Sequence, residues 1–403
     1  MKKYLFFLIN LICIAQFSTI KQIVIIGNKA TLDNTILNYI HHNVGDTVNI
    51  NQAIDEQLSL YETGLFYDVT ILPSAKYIIF VSEKPQILPQ PRFDNHDILG
   101  WSYGASILFN NIKGKNKKIQ IGALTGETTI YDLKYSNPIL LKTKDSLNIH
   151  IYKKYFINIE KDYTLDKIGI YTSFNLPTNK KSNLVKLKYK YDYHLIKLLP
   201  HSKDEKIYSF ETILSYINNK NKGNLQKNNI FQIDCSFTVF KNHYENYHKI
   251  KIKNSFSIPL IKNKDLGRFV LINQSIINFS NNLPIYNRIY LNTENLVRGY
   301  SSNPLDYIGS IQNKLKWNNI IASTAQLELP LFEKKLIKTE LLFFIDYGIG
   351  SNTYSKWELK DKLKGFGFGI RYEILKYGKI DFCFGLNTFG EKHFHVITNF
   401  KSF

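Results

Sequence analysis

From about Gln86 onward the chain alternates apolar and polar residues with a period of two. Lys186, Lys188, Lys190 and Asp192 interleave with Leu187, Tyr189, Tyr191 and Tyr193. Lys249, Lys251, Lys253 and Ser255 interleave with Ile250, Ile252 and Phe256, and Gly365, Gly367, Gly369 and Arg371 with Phe366, Phe368, Ile370 and Tyr372. Successive side chains of a strand point to opposite faces, so each segment carries one apolar, aromatic-rich face and one polar face. Clusters of Asn, Lys, Gly and Asp separate the segments and mark turns. The pattern predicts sixteen strands, near 86–94, 100–110, 116–125, 127–137, 146–156, 163–176, 183–195, 206–217, 228–240, 247–260, 267–280, 319–330, 336–349, 362–375, 378–389 and 393–402. Pro89 and Pro91 interrupt the first, which therefore belongs at an edge or bulge. One long connection, 281–318, lacks the alternation; connections of that length are usually functional or disordered.

Residues 20–83 follow a different pattern. The stretch 20–26 reads as a strand ending at Gly27-Asn28, and 31–40 has the helical spacing of Leu32, Ile36, Leu37 and Ile40, with Thr31 as its cap. Gly45-Asp46 breaks that helix. A second amphipathic helix runs over 50–62 (Ile54, Leu58, Leu60, Tyr61) and stops at Gly64. The stretches 67–72 and 77–81 then alternate as two strands. The order is β-α-α-β-β, a small α+β domain over 20–85 ahead of an all-β domain over 86–403.

Composition narrows where such a chain resides. It opens Met1-Lys2-Lys3 and runs apolar from Tyr4 to Ala15 with one asparagine, with a region holding the small residues Ala15, Ser18 and Thr19 at its end. That reads as a cleaved secretory signal peptide over 1–19, since a spanning helix needs roughly 20 apolar residues. Cys13 precedes no lipid-attachment box. No later run is long enough for a membrane helix, yet aromatics reach 14% and charged residues only 21%. An exported, aromatic-rich chain of alternating segments fits the outer membrane, where only a closed barrel satisfies its own backbone. The formal charge is +19. Its lysines alternate along strands instead of clustering on a helix, which points to a cationic lumen and not to nucleic-acid binding. Cys235 and Cys383 lie in strand-like segments without metal-ligand spacing; a disulfide between them is one option.

Candidate chemistry concentrates in the long connection. It contains Val297-Arg298-Gly299-Tyr300, and the next two strands each place a carboxylate on the polar face, Glu328 and Asp346. Glu328 shares its face with Thr324 and Gln326; Asp346 shares its face with Lys338 and Glu340. A guanidinium can bind such carboxylates bidentately, and Gly299 permits a tight turn beside a wall. Taken alone, each charge could equally be a solvated lumen group.

These features together resemble the outer-membrane-protein assembly factors of the BamA/TamA type, in the bacterial surface antigen superfamily. The resemblance rests on Ile26-Gly27-Asn28, Gly45-Asp46, Thr63-Gly64-Leu65-Phe66-Tyr67-Asp68-Val69 and Val81-Ser82-Glu83-Lys84-Pro85, the landmarks of a POTRA domain. It rests further on Leu283-Pro284-Ile285-Tyr286 through Val297-Arg298-Gly299-Tyr300. It implies an α+β POTRA domain in the periplasm, followed by a transmembrane barrel of about 16 strands in the outer membrane of bacteria. The connection is then a lumenal loop locked by Arg298 against Glu328 and Asp346. The implied function is to assist the folding and membrane insertion of β-barrel proteins, without covalent catalysis. Implied partners are unfolded outer-membrane protein substrates and outer-membrane lipid, with periplasmic chaperones and accessory lipoproteins as candidates. Extended substrates would add along Tyr67, Asp68, Val69, Thr70, Ile71 and Leu72. The C-terminal Phe403 resembles an assembly signal, while Phe400 stands where such factors usually carry a small residue.

Other functions find less support in the sequence. No Ser/His/Asp order, phosphate-binding glycine loop or HExxH motif is present, and no cofactor is implied. His41-His42 follows a predicted helix, and His393 and His395 share a strand face without an evident third ligand. The alternative reading is a polypeptide-exporting pore of the two-partner secretion type, which typically carries two POTRA units and a plug helix. A diffusion porin fits neither the N-terminal unit nor the loop.

Overall fold

A computed structural model describes residues 18–96, 100–140, 146–158, 163–177, 183–198, 204–221, 228–241, 244–261, 266–280, 282–293, 296–301, 306–307, 314–334, 337–357, 362–374 and 378–400. The leader expected over 1–19 lies outside them except for its last two residues, and Cys13 lies outside them too. The chain divides into two compact units, one of residues 1–88 with 108–119 and one of 89–107 with 120–403.

In the first unit β1 (Ser18–Thr19) pairs with β3 (Thr47–Val48). Around them lie β2 (Gln22–Ile26), α1 (Asp33–Leu37), α2 (Ile50–Glu62), β4 (Phe66–Leu72) and β5 (Lys76–Glu83). The sheet order is β2-β5-β4, with β2 parallel and β4 antiparallel to β5. Ile36, Val48, Leu60, Tyr77 and Ile79 fill its core. Asn49 and Gln52 close a reciprocal capping box on α2, satisfying amides that a helix start leaves free.

The first helix departs from expectation. It is only Asp33–Leu37, its N-cap is Leu32, and no side chain caps it. Thr31 is engaged elsewhere: its hydroxyl accepts from Asn111 Nδ2 at 2.8 Å. Its N–H, with those of Lys29 and Ala30, donates to the Glu83 carboxylate at 2.7, 3.1 and 2.9 Å. Beyond Asn38 the chain tightens, Tyr39 N donating to Ile36 O and Ile40 N to Leu37 O, so the apolar spacing continues without α-helix. His41 and His42 serve structure. Their amides donate to the buried Glu56 carboxylate at 2.6 and 3.2 Å, and Tyr77 Oη donates to its other oxygen at 2.6 Å.

Burial opposes the charge on Glu83, but the Thr31 hydroxyl and the three amides outweigh it and hold the carboxyl below its usual range. A depressed folded-state pKa stabilises above the unfolded value, near 4.5, and that stability is lost as pH falls through the lower folded value. At pH 7, Glu83→Gln is expected to speed hydrogen exchange of the Lys29–Thr31 amides severalfold. The gap from wild type should close in acid; a gap that persists at pH 3 would mean the carboxylate charge is not what holds this turn.

The second unit is built on a 16-stranded sheet. Its strands begin with β6 (Ile87–His96), β7 (Gly100–Ile112), β8 (Lys117–Gly126), β9 (Thr128–Asn137) and β10 (Ser146–Ile157). They continue with β11 (Tyr163–Pro177), β12 (Asn183–Leu198), β13 (Glu205–Asn221), β14 (Asn228–Phe240), β15 (Tyr247–Pro259) and β16 (Arg268–Asn278). After the long connection, which holds the short pair β17 (Ile289–Tyr290) and β18 (Lys316–Trp317), come β19 (Asn319–Lys334), β20 (Ile337–Ser351), β21 (Leu363–Ile374), β22 (Gly378–Asn387) and β23 (Lys392–Phe400). Neighbouring strands from β9 to β23 in the large sheet pair antiparallel, as between β11 and β12. Each of the sixteen predicted segments corresponds to one strand. The order runs from β23 to β6, which places the proline-bearing β6 at one end.

One face of this sheet exposes Tyr191, Phe256, Phe366, Phe368 and Phe394. The other buries Asp192, Ser236, Ser257, Glu340, Arg371 and Asp381. Polar residues inside and aromatics outside invert the soluble sandwich and match a sheet facing lipid. No helix among the described residues is long and apolar enough to cross a membrane. Cys235 and Cys383 are both free thiols.

Candidate functional site

The long connection packs on the polar face of the second unit. Its early part holds a 3-10 turn, Ile285–Asn287. There Tyr286 stacks on His194 of β12, with ring centroids 4.4 Å apart, and Asn287 Nδ2 donates to Tyr247 Oη at 3.0 Å. Its later part meets β19 to β23. The two contact regions lie far apart in strand order, so the sheet curves around the connection.

Local hydrogen bonds shape the motif before it meets the wall. Val297 N donates to Leu291 O and Thr293 O, both at 3.1 Å, and Asn292 Nδ2 donates to Ser301 O at 2.6 Å. Leu291, Val297, Tyr300 and Leu315 are fully buried together, against Ile320, Ala322 and Leu363 of the wall.

Arg298 is aimed from this platform into the wall. Its Nε and Nη2 donate to Oδ2 and Oδ1 of Asp346 at 2.7 and 2.9 Å, and its own backbone N–H adds a third bond at 3.0 Å. Nη1 donates to Gln326 Oε1 at 3.1 Å, and the guanidinium lies 3.4 Å from the centroid of the Phe344 ring. Cys383 Sγ lies 3.9 Å from Nη1. Planar fork, carboxylate and ring face together satisfy a charge that is 4% exposed.

Gly299 has φ +94°, and a Cβ there would meet Leu386 O at 2.6 Å. Its N–H donates to His395 Nε2 at 3.0 Å, which fixes the imidazole as neutral at that nitrogen. Tyr300 Oη donates to Lys364 O at 3.1 Å and accepts from Lys364 N at 3.2 Å. Burial raises its hydroxyl pKa. Gly365 leaves room for the motif: a Cβ there would stand 1.7 Å from Arg298 O.

Glu328 does not meet Arg298, contrary to the sequence expectation. In register Asp346 lies opposite Thr324, whereas Glu328 lies opposite Leu342 and, on the other side, Arg268. Four residues of strand separate the two positions, about 13 Å, which one guanidinium cannot span. Gln326 stands between, accepting from Arg298 and donating to Glu328 Oε1 at 2.7 Å. Glu328 belongs instead to a second network. It accepts from Arg268 Nε and from Arg371 Nη1 at 2.6 Å. Arg371 also grips Asp381 with Nε and Nη2 at 2.7 and 2.8 Å. Arg268 and Lys338 reach Glu340 at 3.3 and 3.1 Å. Three cations thus face three carboxylates. Removing one partner of a buried pair costs about 3–5 kcal/mol, so Arg371→Leu is expected to lower the temperature of the unfolding gel shift by several degrees. Arg371→Leu with Asp381→Leu should recover part of that loss.

Parity in the sequence placed Gln326, Glu340 and His395 on the polar face, but only strand register picks out which of them touch the loop. Arg268, Phe344 and Cys383 carry no local signal. Phe400 is registered opposite Gly378; its side chain, and Phe403, lie outside the described residues. Tyr67 to Leu72 lie in β4 at one end of the three-stranded sheet, with Tyr67 at a register shift, and Ile71 N donates to Gln57 Oε1 at 3.2 Å. His393 Nε2 lies 3.5 Å from Tyr307 Oη, and among the described residues no group of three metal-ligating side chains occurs.

Residues 111–395 match the model of the Omp85 superfamily domain. BamA from Haemophilus ducreyi lacking POTRA domains 1–3 superposes with a TM-score of 0.69 at 15% identity, covering 96% of this chain and 85% of that one. CdiB from Acinetobacter baumannii gives 0.62 at 13%, covering 95% and 73%. CdiB from Escherichia coli gives 0.53 at 11%, covering 97% and 90%. No curated protein sequence matches significantly.

Proposed function

This chain belongs to the Omp85 superfamily of bacterial outer-membrane β-barrel proteins, and from that premise we propose that it is an assembly factor assisting the folding and insertion of other β-barrels. The observation that carries the reading is the seated motif. Arg298, Gly299 and Tyr300 each bond a different strand of the wall, on β20, β23 and β21. A loop fixed to three strands near the end of the sheet order sets how β23 is held, and β23 and β6 are the strands a client would have to part. An incoming strand could then pair with an exposed edge, its backbone hydrogen bonds supplying affinity.

The first unit is read as a periplasmic POTRA domain, supported by its β2-β5-β4 sheet and by the two helices that lie between β2 and β4 in the chain. Its receiving edge is β4, from Tyr67 through Asp68, Val69, Thr70 and Ile71 to Leu72. Gln57 already occupies the Ile71 amide, so a client strand must displace it or pair around it. Unfolded outer-membrane proteins are the proposed clients, delivered by periplasmic chaperones and joined by accessory lipoproteins, in outer-membrane lipid.

Export of one dedicated polypeptide is the second reading, favoured by the likeness to the two CdiB structures. Depleting the protein and surveying the outer-membrane proteome separates the two. Assembly requires that many barrel proteins decline together. Loss of a single secreted product, with the barrel proteins unchanged, would overturn the assembly reading in favour of export.

A further inference from the structure

The polar face is electrically uneven. On β19 to β22 the charges, Lys379 apart, close into the balanced networks described above. On β12 to β15 they do not. Lys190 and Lys249 are held by Asp192 and Glu211. Lys186 and Lys188 of β12 and Lys251 and Lys253 of β15 have no carboxylate oxygen within 4.0 Å among the described residues. Asp234, which the register places beside Lys251 and two strands from Lys186, has both oxygens taken by Gln232 Nε2 at 3.0 and 2.9 Å. All four lysines are at least partly solvent-accessible; Lys186 and Lys188 lie in the half of β12 away from the long connection, and Lys251 and Lys253 near the middle of β15.

We propose that this lysine wall binds an extended polypeptide segment carrying carboxylates at alternate positions. The spacing supports that class. Lys186 and Lys188, like Lys251 and Lys253, are same-face neighbours about 6.6–6.8 Å apart. An extended chain repeats its same-side side chains at that interval. The two lysine pairs are three strand spacings apart, about 14 Å, leaving between them a strip floored by Ser215, Ile213 and Ser236 and by Asp234, whose two oxygens Gln232 holds. A compact phosphate would instead call for converging donors or an arginine fork, and the wall has neither. A lipid headgroup would lie along the aromatic face, opposite these lysines. The inference rests on the reading above and narrows it, naming acidic strands or linkers as the client segments that enter the sheet interior.

The test uses full-length protein in detergent and a fluorescein-labelled octapeptide alternating Glu and Thr, read by anisotropy. The peptide should bind, and more weakly as salt rises. With Lys186→Gln, Lys188→Gln, Lys251→Gln and Lys253→Gln combined, binding should weaken about tenfold or more, as expected from losing several exposed ion pairs. A Lys188→Glu, Lys251→Glu variant should instead bind the matching Lys/Thr peptide, an outcome that damaged folding cannot produce. A heat-modifiable band on unheated gels verifies folding of each variant. Equal binding by the wild-type and four-glutamine proteins would overturn the inference. So would polyphosphate competing as well as the peptide at equal charge, because the site would then read charge and not an extended chain. The assay reads the lysine wall alone, whereas the depletion survey reads assembly, so each can fail without the other.

Discussion

Arg298→Ala is expected to release the motif loop while leaving the sheet assembled. The substitution removes the two side-chain bonds to Asp346 and strands a carboxylate that is 1% exposed. Charge-assisted hydrogen bonds are worth about 1.5–3 kcal/mol, and an abandoned buried partner costs about 3–5 kcal/mol. The Arg298 backbone N–H still reaches Asp346, which sets the loss toward the lower end, about 3 kcal/mol. That is more than a hundredfold in the loop's bound-to-free ratio. Proteolysis within 296–301 should become rapid on otherwise heat-modifiable protein, and client insertion into proteoliposomes should drop. Arg298→Lys should rescue only partly, because lysine has no planar fork. In a double-mutant cycle Arg298→Ala and Asp346→Ala should couple strongly. Arg298→Ala and Glu328→Ala should nearly add, since Gln326 stands between them. Strong coupling to Glu328 with none to Asp346 would contradict the geometry.

A second expected result reaches the same loop without touching a charge. Gly365→Ala places a methyl 1.7 Å from Arg298 O, far inside contact distance, and the sheet backbone on β21 cannot retreat cheaply. A strand position otherwise accepts a side chain, so the barrel should fold while the motif is pushed off β21. Loop protease sensitivity should rise to the level of Arg298→Ala, and the Tyr300 bonds to Lys364 should be lost with it. Adding Arg298→Ala should then change little, because the loop is already displaced. Unchanged loop protection in Gly365→Ala would show that the motif is not seated against this strand.

The two substitutions separate what was readable in the sequence from what was not. The strands were legible because alternation is local: each side chain's face follows from its parity, whatever the strand pairs with. The motif was legible because Arg298, the flexible Gly299 and two lumen-side carboxylates fall in one stretch. Which carboxylate it meets was not. That choice depends on the register of β19 against β16 and β20, which puts Glu328 beside Arg268 and leaves Asp346 opposite Thr324. Both carboxylates face the lumen by parity, and parity says nothing of how far along the strands each one stands. In the first unit the helical period over 31–40 was real, but Thr31 turned to Glu83 and Asn111 instead of capping a helix. A partner distant in sequence outcompeted a local propensity.

Sequence alone thus determined the number of strands in the large sheet and the side of it each residue faces, because these follow from short-range stereochemistry and from the contrast between lipid and water. Tertiary structure decided which charges pair. Residues 268, 328, 340, 371 and 381 meet in one buried network only because strand register brings them together. Burial then made each pairing selective, since a charge taken out of water must be matched by the particular partner the fold delivers.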